Sequence, residues 1–230
     1  MNSNVFARIE QRTVQHEVVD LIRDAILRGD LEWGEHLNET TMSEQMAVSR
    51  IPIREALRQL EQEGLITRIP NRGCFVITFD EKDILEVFSL RATLESMAIE
   101  WAIPHLTAQD IAELRATIEA QGQAVAAGDY AQLAQLDMKF HEFICIKAQH
   151  ERLLKAWYAH HAQCQLLLNR RFRTMSDYTP ETVVRDHTKI LDAIARGDAT
   201  EAATLTRDIS ERVAHECVAL IKAQTRAISH

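Results

Sequence analysis

The chain has 230 residues, 46% apolar and 26% charged, with a formal net charge of -8. That length holds one large domain or two modest ones with proper cores, and the acidic balance excludes a general nucleic-acid binder. The four cysteines are scattered without a CxxC pair, which excludes a disulfide framework or thiolate zinc site and fits a reducing cytoplasm. Met1 to Arg12 lacks the apolar region of a signal peptide, and no apolar run is long enough to span a bilayer. No membrane partner is expected.

In chain order, Val18, Leu21, Ile22, Ala25 and Ile26 recur at helical spacing and Gly29 follows as a stop. A first helix is predicted from about Thr13 to Arg28. A short second helix is predicted from about Glu39 to Met46, capped by Asn38. Ser49 is placed to cap a third helix with Pro52 in its first turn. Ile53, Ala56, Leu57 and Leu60 form its apolar face, and Gly64 stands where a helix-ending glycine belongs. The pattern then changes. Residues 65–69 and 74–79 read as two strands, joined by Pro70-Asn71-Arg72-Gly73 as a hairpin tip.

After Asp80 the strand signals stop. Helices are predicted at about Lys82 to Ile103, Ala108 to Ala127, Tyr130 to Lys147, Glu151 to Arg173, Thr179 to Arg196 and Ala199 to Ala227. Gly128-Asp129 and Gly197-Asp198 mark tight turns. The expected fold is mainly α. It combines a winged helix-turn-helix with a small β-hairpin wing, residues 1–79, and an all-α helical bundle, residues 80–230.

The first 79 residues hold nine arginines and no lysine against twelve acidic residues. Net charge governs long-range attraction, not whether a local site exists. From Arg50 to Arg72 there are five arginines and three glutamates, so a DNA site here is local and arginine-based. Arg50, Arg54 and Arg58 follow i, i+4, i+8 spacing, in a stripe about 110° around from the apolar face. One face can pack inward while the stripe enters the major groove, where an arginine fork bonds guanine O6 and N7 together. Arg58 has a competing use, a surface pair with Glu55 or Glu61. Arg72 and Gly73 at the wing tip are placed to approach a phosphate or the minor groove.

The run Ala47-Val48-Ser49-Arg50-Ile51-Pro52-Ile53-Arg54-Glu55-Ala56-Leu57-Arg58-Gln59-Leu60, then Glu63-Gly64-Leu65-Ile66 and Arg72-Gly73-Cys74-Phe75-Val76, resembles the GntR family signature. The resemblance implies operator contacts by Arg50, Arg54 and Gly73, with Ser49 beside them. The family often carries an arginine in the second helix where this chain has Thr40. The second half resembles the FadR subfamily, whose helical FCD domain binds ligands. Leu90-Arg91-Ala92-Thr93-Leu94-Glu95, Asp137-Met138-Lys139-Phe140-His141 and the segment from His187 to Gly197-Asp198 carry that likeness.

The residues read the same way on their own. Asp137 and His141 share a helix face with Leu133, Phe140 and Ile144, and His187 heads the stripe Ile190, Leu191, Ile194. Three titratable groups on core-facing stripes are costly unless they serve one another or a ligand. A carboxylate with imidazoles suits a divalent transition metal such as zinc or nickel; hydrogen-bonded core histidines are the alternative. Many FCD domains hold a metal through one Asp and three His. The resemblance places Asp137, His141 and His187 as three ligands and the fourth on Ile209, which lies on the core-facing stripe Leu205, Ile209, Val213, Leu220 of the last helix and cannot ligate. The set is incomplete, leaving water or effector to fill it. Arg91 is a candidate for holding a carboxylate, or for pairing with Glu95. His150, His160 and His161 read as surface or pocket-lining residues, and Trp101 and Trp157 as core.

The expected function is ligand-controlled transcriptional regulation, as a repressor. A homodimer binds a double-stranded palindromic operator and responds to a small metabolite, an organic acid. A metal-dependent hydrolase on Asp137, His141 and His187 is the first rival, but no nucleophile or dedicated base accompanies them. A helical adaptor with a protein-binding winged domain is the second. No enzyme activity is expected.

Overall fold

A computed structural model describes residues 14–174 and 181–228, with side chains described through residue 223. The described residues fall into two compact units, 14–26 with 30–77 and 27–29 with 78–228. Met1 to Thr13 and Thr179 lie outside the described residues, and with them the signal-peptide reading of the first twelve residues and the two helix starts predicted at Thr13 and Thr179.

The first unit contains α1 (Val14–Arg28), β1 (His36–Leu37), α2 (Glu39–Gln45), α3 (Arg50–Gln62), β2 (Ile66–Ile69) and β3 (Gly73–Val76). Its core is built from Val18, Val19, Ile22 and Ile26 of α1 against Ile53, Ala56, Leu57 and Leu60 of α3, all buried. Full burial of each larger side chain is worth about 1.5–3 kcal/mol. The Arg23 guanidinium of α1 forks onto both Glu63 oxygens, at 2.9 and 2.7 Å, just beyond the end of α3. Asn38 caps α2 by accepting from the Thr40 and Thr41 amides. Ser49 occupies the cap position of α3 in an extended conformation, but its hydroxyl makes no capping bond. The expected side-chain cap is therefore absent. Gly64 takes φ +73°. That lets the Leu65 amide reach back to the Leu60 carbonyl at 3.0 Å and close α3.

The sheet is antiparallel in the order β1-β3-β2, with Ile66 opposite Val76 and His36 opposite Phe75. The sequence reading missed β1, and β3 stops at Val76 rather than reaching Phe79. At the tip, Gly73 has φ +101°, which favours glycine, while a Cβ there would lie 2.7 Å from Nε2 of the exposed His36, a side chain free to shift.

The second unit is a bundle of α4 (Glu81–Ala102), α5 (Ala108–Ala127), α6 (Tyr130–Lys147), α7 (Glu151–Thr174), α8 (Glu181–Ala195) and α9 (Ala199–Ile228), with a 3₁₀ turn at Ile103–His105. Reciprocal capping boxes start α4 (Asp80 with Asp83) and α5 (Thr107 with Asp110). Phe88, Ile99, Phe140, Ile144, Trp157, Leu167, Ile190 and Leu191 form the core. α4 lies along α9, whose inner face is small: Ala202, Ala203, Thr206, Ser210 and Ala214 are buried. That closeness lets the Ser96 hydroxyl donate to the Ala203 carbonyl at 3.1 Å. Leu205, Ile209 and Leu220 are only half-buried beside this strip, correcting the expected core stripe, of which Val213 alone is buried. Trp101 is another correction. It is 49% exposed in the last turn of α4 and rests edge-on against His150.

Candidate functional site

In the first unit, Ser49, Arg50, Arg54, Arg58, Arg72 and Gly73 are all exposed. α3 sets the first four on its outward side because its apolar positions anchor the opposite one. Arg54 Nε pairs with Glu39 Oε2 at 2.6 Å. The pair uses Arg54 Nε, and the side chain stays exposed. Arg58 forms no ion pair among the described residues, because Glu61 turns to Arg68 at 3.2 Å instead. Arg72 lies 5.8 Å from the Phe75 ring centre, held at the wing by a cation–π contact. The structure thus places the helix and wing arginines on the surface of one compact unit.

In the second unit, Asp137, His141 and His187 converge, with ligand-type atoms within 4.8 Å of one another. All three are buried. Asp137 Oδ2 accepts from Arg91 Nη2 at 2.9 Å, and Arg91 Nε donates to Glu95 Oε1 at 3.0 Å. Glu95 also accepts from Trp157 Nε1 at 3.0 Å, and its second oxygen lies 2.8 Å from His141 Nδ1. His187 Nδ1 lies 2.8 Å from Gln121 Oε1, while the Gln121 amide donates to the Leu136 carbonyl. That fixes the amide orientation, so His187 carries its proton on Nδ1. The two imidazole Nε2 atoms of His141 and His187 lie 3.1 Å apart, with Asp137 Oδ1 3.5 Å from that of His187.

A proton on His141 Nε2 closes this contact onto the His187 lone pair, and a metal ion held by both nitrogens would take that proton's place. Nitrogens each about 2.0–2.1 Å from one zinc lie roughly 3 Å apart. The outer partners Glu95 and Gln121 are the kind that orient metal-binding imidazoles. The three residues therefore fit a divalent ion, which would supply a positive pole for an anionic ligand. Electrostatics agree. Burial pushes the His187 imidazole down to about 3, outweighing the pull of Asp137. Burial opposes ionisation of Asp137 and Glu95 too, but Arg91 and the neighbouring rings hold each carboxyl down to about 2.

A cavity of about 30 Å³ opens beside these groups, lined by Arg91, Asp137, His141, His187 and Ile209. Arg171 and Arg212 line its far side. Arg171 is fully buried, with Nε and Nη2 on Glu216 Oε2 at 2.7 and 2.5 Å. Arg212 pairs with Asp186 and, at 3.6 Å, with Glu216. Ile209 borders the cavity but offers no donor.

The pattern of an arginine-faced winged helix followed by a polar-hearted bundle has relatives. Residues 14–76 match the model described as bacterial regulatory proteins, gntR family, and residues 86–212, more than half of the chain, match the FCD domain. The chain belongs to the GntR family of regulators and carries an FCD domain. This GntR regulator is 29% identical to an uncharacterized HTH-type transcriptional regulator, YdhC, of Bacillus subtilis, over 76% of its own length and 78% of the relative's. It is 29% identical to a probable D-xylose utilization operon transcriptional repressor of Paenarthrobacter nicotinovorans, over 83% of each chain. It is 30% identical to the gluconate operon transcriptional repressor of Bacillus subtilis, over 74% of its length and 68% of the relative's. The fold is shared with a GntR regulator from Rhodococcus at TM-score 0.75 and 22% identity, covering 89% and 97% of the two chains. It is shared equally with Escherichia coli McbR/YncC, at TM-score 0.75 and 21% identity, covering 94% and 100%. The family's members and these relatives are DNA-binding transcription regulators, not enzymes. No helix among the described residues is long and apolar enough to cross a membrane.

Sequence reasoning missed part of the FCD site. Glu95 enters the sequence reading within the Leu90–Glu95 likeness and as a partner for Arg91, Trp157 only as core, and Gln121, Arg171, Asp186, Arg212 and Glu216 not at all. Glu95 had a signal, since it lies one turn from Arg91 on the same face. Arg212 and Glu216 had the same signal, one turn apart on α9, whereas Trp157, Gln121, Arg171 and Asp186 carried none, because their partners lie on other helices.

Proposed function

We propose that this GntR regulator is a repressor that binds a palindromic operator as a homodimer and is released or retained by a small organic acid. Arg50, Arg54, Arg58, Arg72, Ser49 and Gly73 make up its DNA-contacting set. Asp137, His141 and His187 hold a divalent ion such as zinc or nickel. Residues 1–79 form the reading head and residues 80–230 the sensing and pairing domain, working in the cytoplasm.

One observation carries the reading. The buried cavity has three metal-type donors on one wall and three arginines, Arg91, Arg171 and Arg212, around it. Each arginine is paired with a carboxylate in the closed cavity, so an anion with oxygen donors binds by taking the place of one such partner, and one relative is named for the operon of gluconate, an organic acid. At about 30 Å³ the cavity admits roughly one water-sized group, far less than the several hundred Å³ of ordinary ligand pockets. An organic acid must therefore open it. Arg212, partly exposed and paired with Asp186 and Glu216, is the group that can yield. A ligand that binds only the opened bundle shifts the population, and operator affinity changes by the coupling between the two, typically about 5- to 150-fold.

The test is operator binding by the full chain across a panel of organic acids and neutral sugars, with an operator selected from random duplexes. One class of organic acid should change affinity by that factor and raise the melting temperature. If no acid does either, the sensing role assigned to the cavity is wrong. For the pairing, the full 26.2 kDa chain should sediment at twice its mass, and residues 80–230 alone should do likewise without binding operator. A monomeric or unfolded fragment would show the domain division or the pairing surface to be misplaced.

A further inference from the structure

The outermost residue of the reading helix is neither charged nor polar. Ile51 is 72% exposed, the most exposed of the large apolar side chains among the described residues. With about 100° per residue, the buried side of α3 centres roughly 190° from Ile51. Arg58 and Arg54 lie about 20° and 60° to one side of it, and Glu55 about 40° to the other. Ile51 thus occupies the middle of the outward face in the first turn, where a recognition helix meets base edges.

The neighbours narrow what this side chain can touch. An isoleucine gains nothing from a phosphate, and Glu55 beside it repels one. Arg50 and Arg54, both exposed, draw this face to DNA, so its centre must lie against groove floor rather than backbone. The major groove has one apolar feature there, the C5-methyl group of thymine.

We propose that Ile51 reads a thymine in the operator by packing on its C5-methyl, which makes it a specificity-determining residue beside Arg50 and Arg54. This rests on α3 being the DNA-reading helix. The arginines supply attraction and read guanine, and Ile51 fixes which neighbouring pair is accepted. A cytosine in place of that thymine presents no methyl group, so the contact is lost.

The experiment uses the full chain and an operator selected from random duplexes. Each thymine is replaced in turn by deoxyuridine, which lacks only the methyl, and affinity is measured by fluorescence anisotropy. Wild type should show a position where the replacement weakens binding about fourfold, the scale of one buried methyl group. Ile51→Ala should bind the thymine and uracil forms of that position alike, with unchanged sensitivity at all others. Its melting temperature should match wild type, since the side chain is exposed. Ile51→Val should keep most of the discrimination. The proposal is overturned if no thymine is methyl-sensitive in wild type, or if Ile51→Ala keeps the same penalty at every position, as it would if Ile51 met a sugar or another protein. Failure of α3 as the reading helix is distinguishable, because Arg50→Ala and Arg54→Ala would then leave binding intact.

Discussion

Arg50→Ala and Arg54→Ala are each expected to weaken operator binding by about 1–3 kcal/mol, the scale of one good base contact. Both side chains are exposed on α3, and neither touches its apolar face. Folding should therefore survive, with a melting temperature within a degree or two of wild type. Arg54 is the more informative. Its Nε is already spent on Glu39, which fixes the plane of the guanidinium and leaves the terminal nitrogens to fork onto a base. Holding it in that plane lowers the rotamer entropy lost on binding. Glu39→Ala should then cost less than Arg54→Ala, and should cost nothing in the Arg54→Ala background. Gel-shift or anisotropy titrations at two salt concentrations separate the roles. A base-reading arginine changes sequence preference, whereas a phosphate-binding one lowers affinity uniformly and flattens the salt slope. Unchanged affinity in both variants would sink the assignment of α3.

What could be read from sequence was whatever local chemistry decides. α3 was legible because Pro52 and Gly64 punctuate it and Ile53, Ala56, Leu57 and Leu60 repeat at helical period. α5 and α6 were legible to their ends because Thr107 and Gly128-Asp129 are cap chemistry. β1 was not, since two residues carry no period and His36–Leu37 is a strand only through pairing with β3. The inner face of α9 was misread for a physical reason. A search for apolar stripes picks large side chains, but close packing on α4 selects Ala203, Ser210 and Ala214, leaving Leu205 and Ile209 at the flank. The convergence of Asp137, His141 and His187 could be anticipated from helix faces. Their support by Gln121, 66 residues before His187, could not.

Replacing His187 with Ala should abolish stoichiometric zinc or nickel binding, the largest effect expected in the second unit. Three protein ligands leave no redundancy, and loss of one leaves Asp137 and His141 as a pair. Gln121→Leu removes only the acceptor behind His187, and should cost about 10- to 100-fold in affinity, the usual toll for an outer partner. Ile209→His adds a donor at the cavity wall and should tighten binding. The pH dependence has a definite sign. Ligands must shed protons before binding, and burial holds His187 at about 3, below an ordinary imidazole near 6.5. Protonation of His187 should thus not displace the metal until well below pH 6.5. In the metal-free chain, the unfolded state takes up a proton at His187 between about 6.5 and 3 while the folded state does not. Its stability should therefore fall as pH drops through that window. Titration calorimetry on the three variants, with metal analysis across pH 7 to 4, checks all of this. If His187→Ala binds metal as wild type does, or Ile209→His leaves affinity unchanged, no ion bridges these rings. The 3.1 Å contact between His141 and His187 would then be closed by a proton, and the organic acid would be held by Arg91, Arg171 and Arg212 alone.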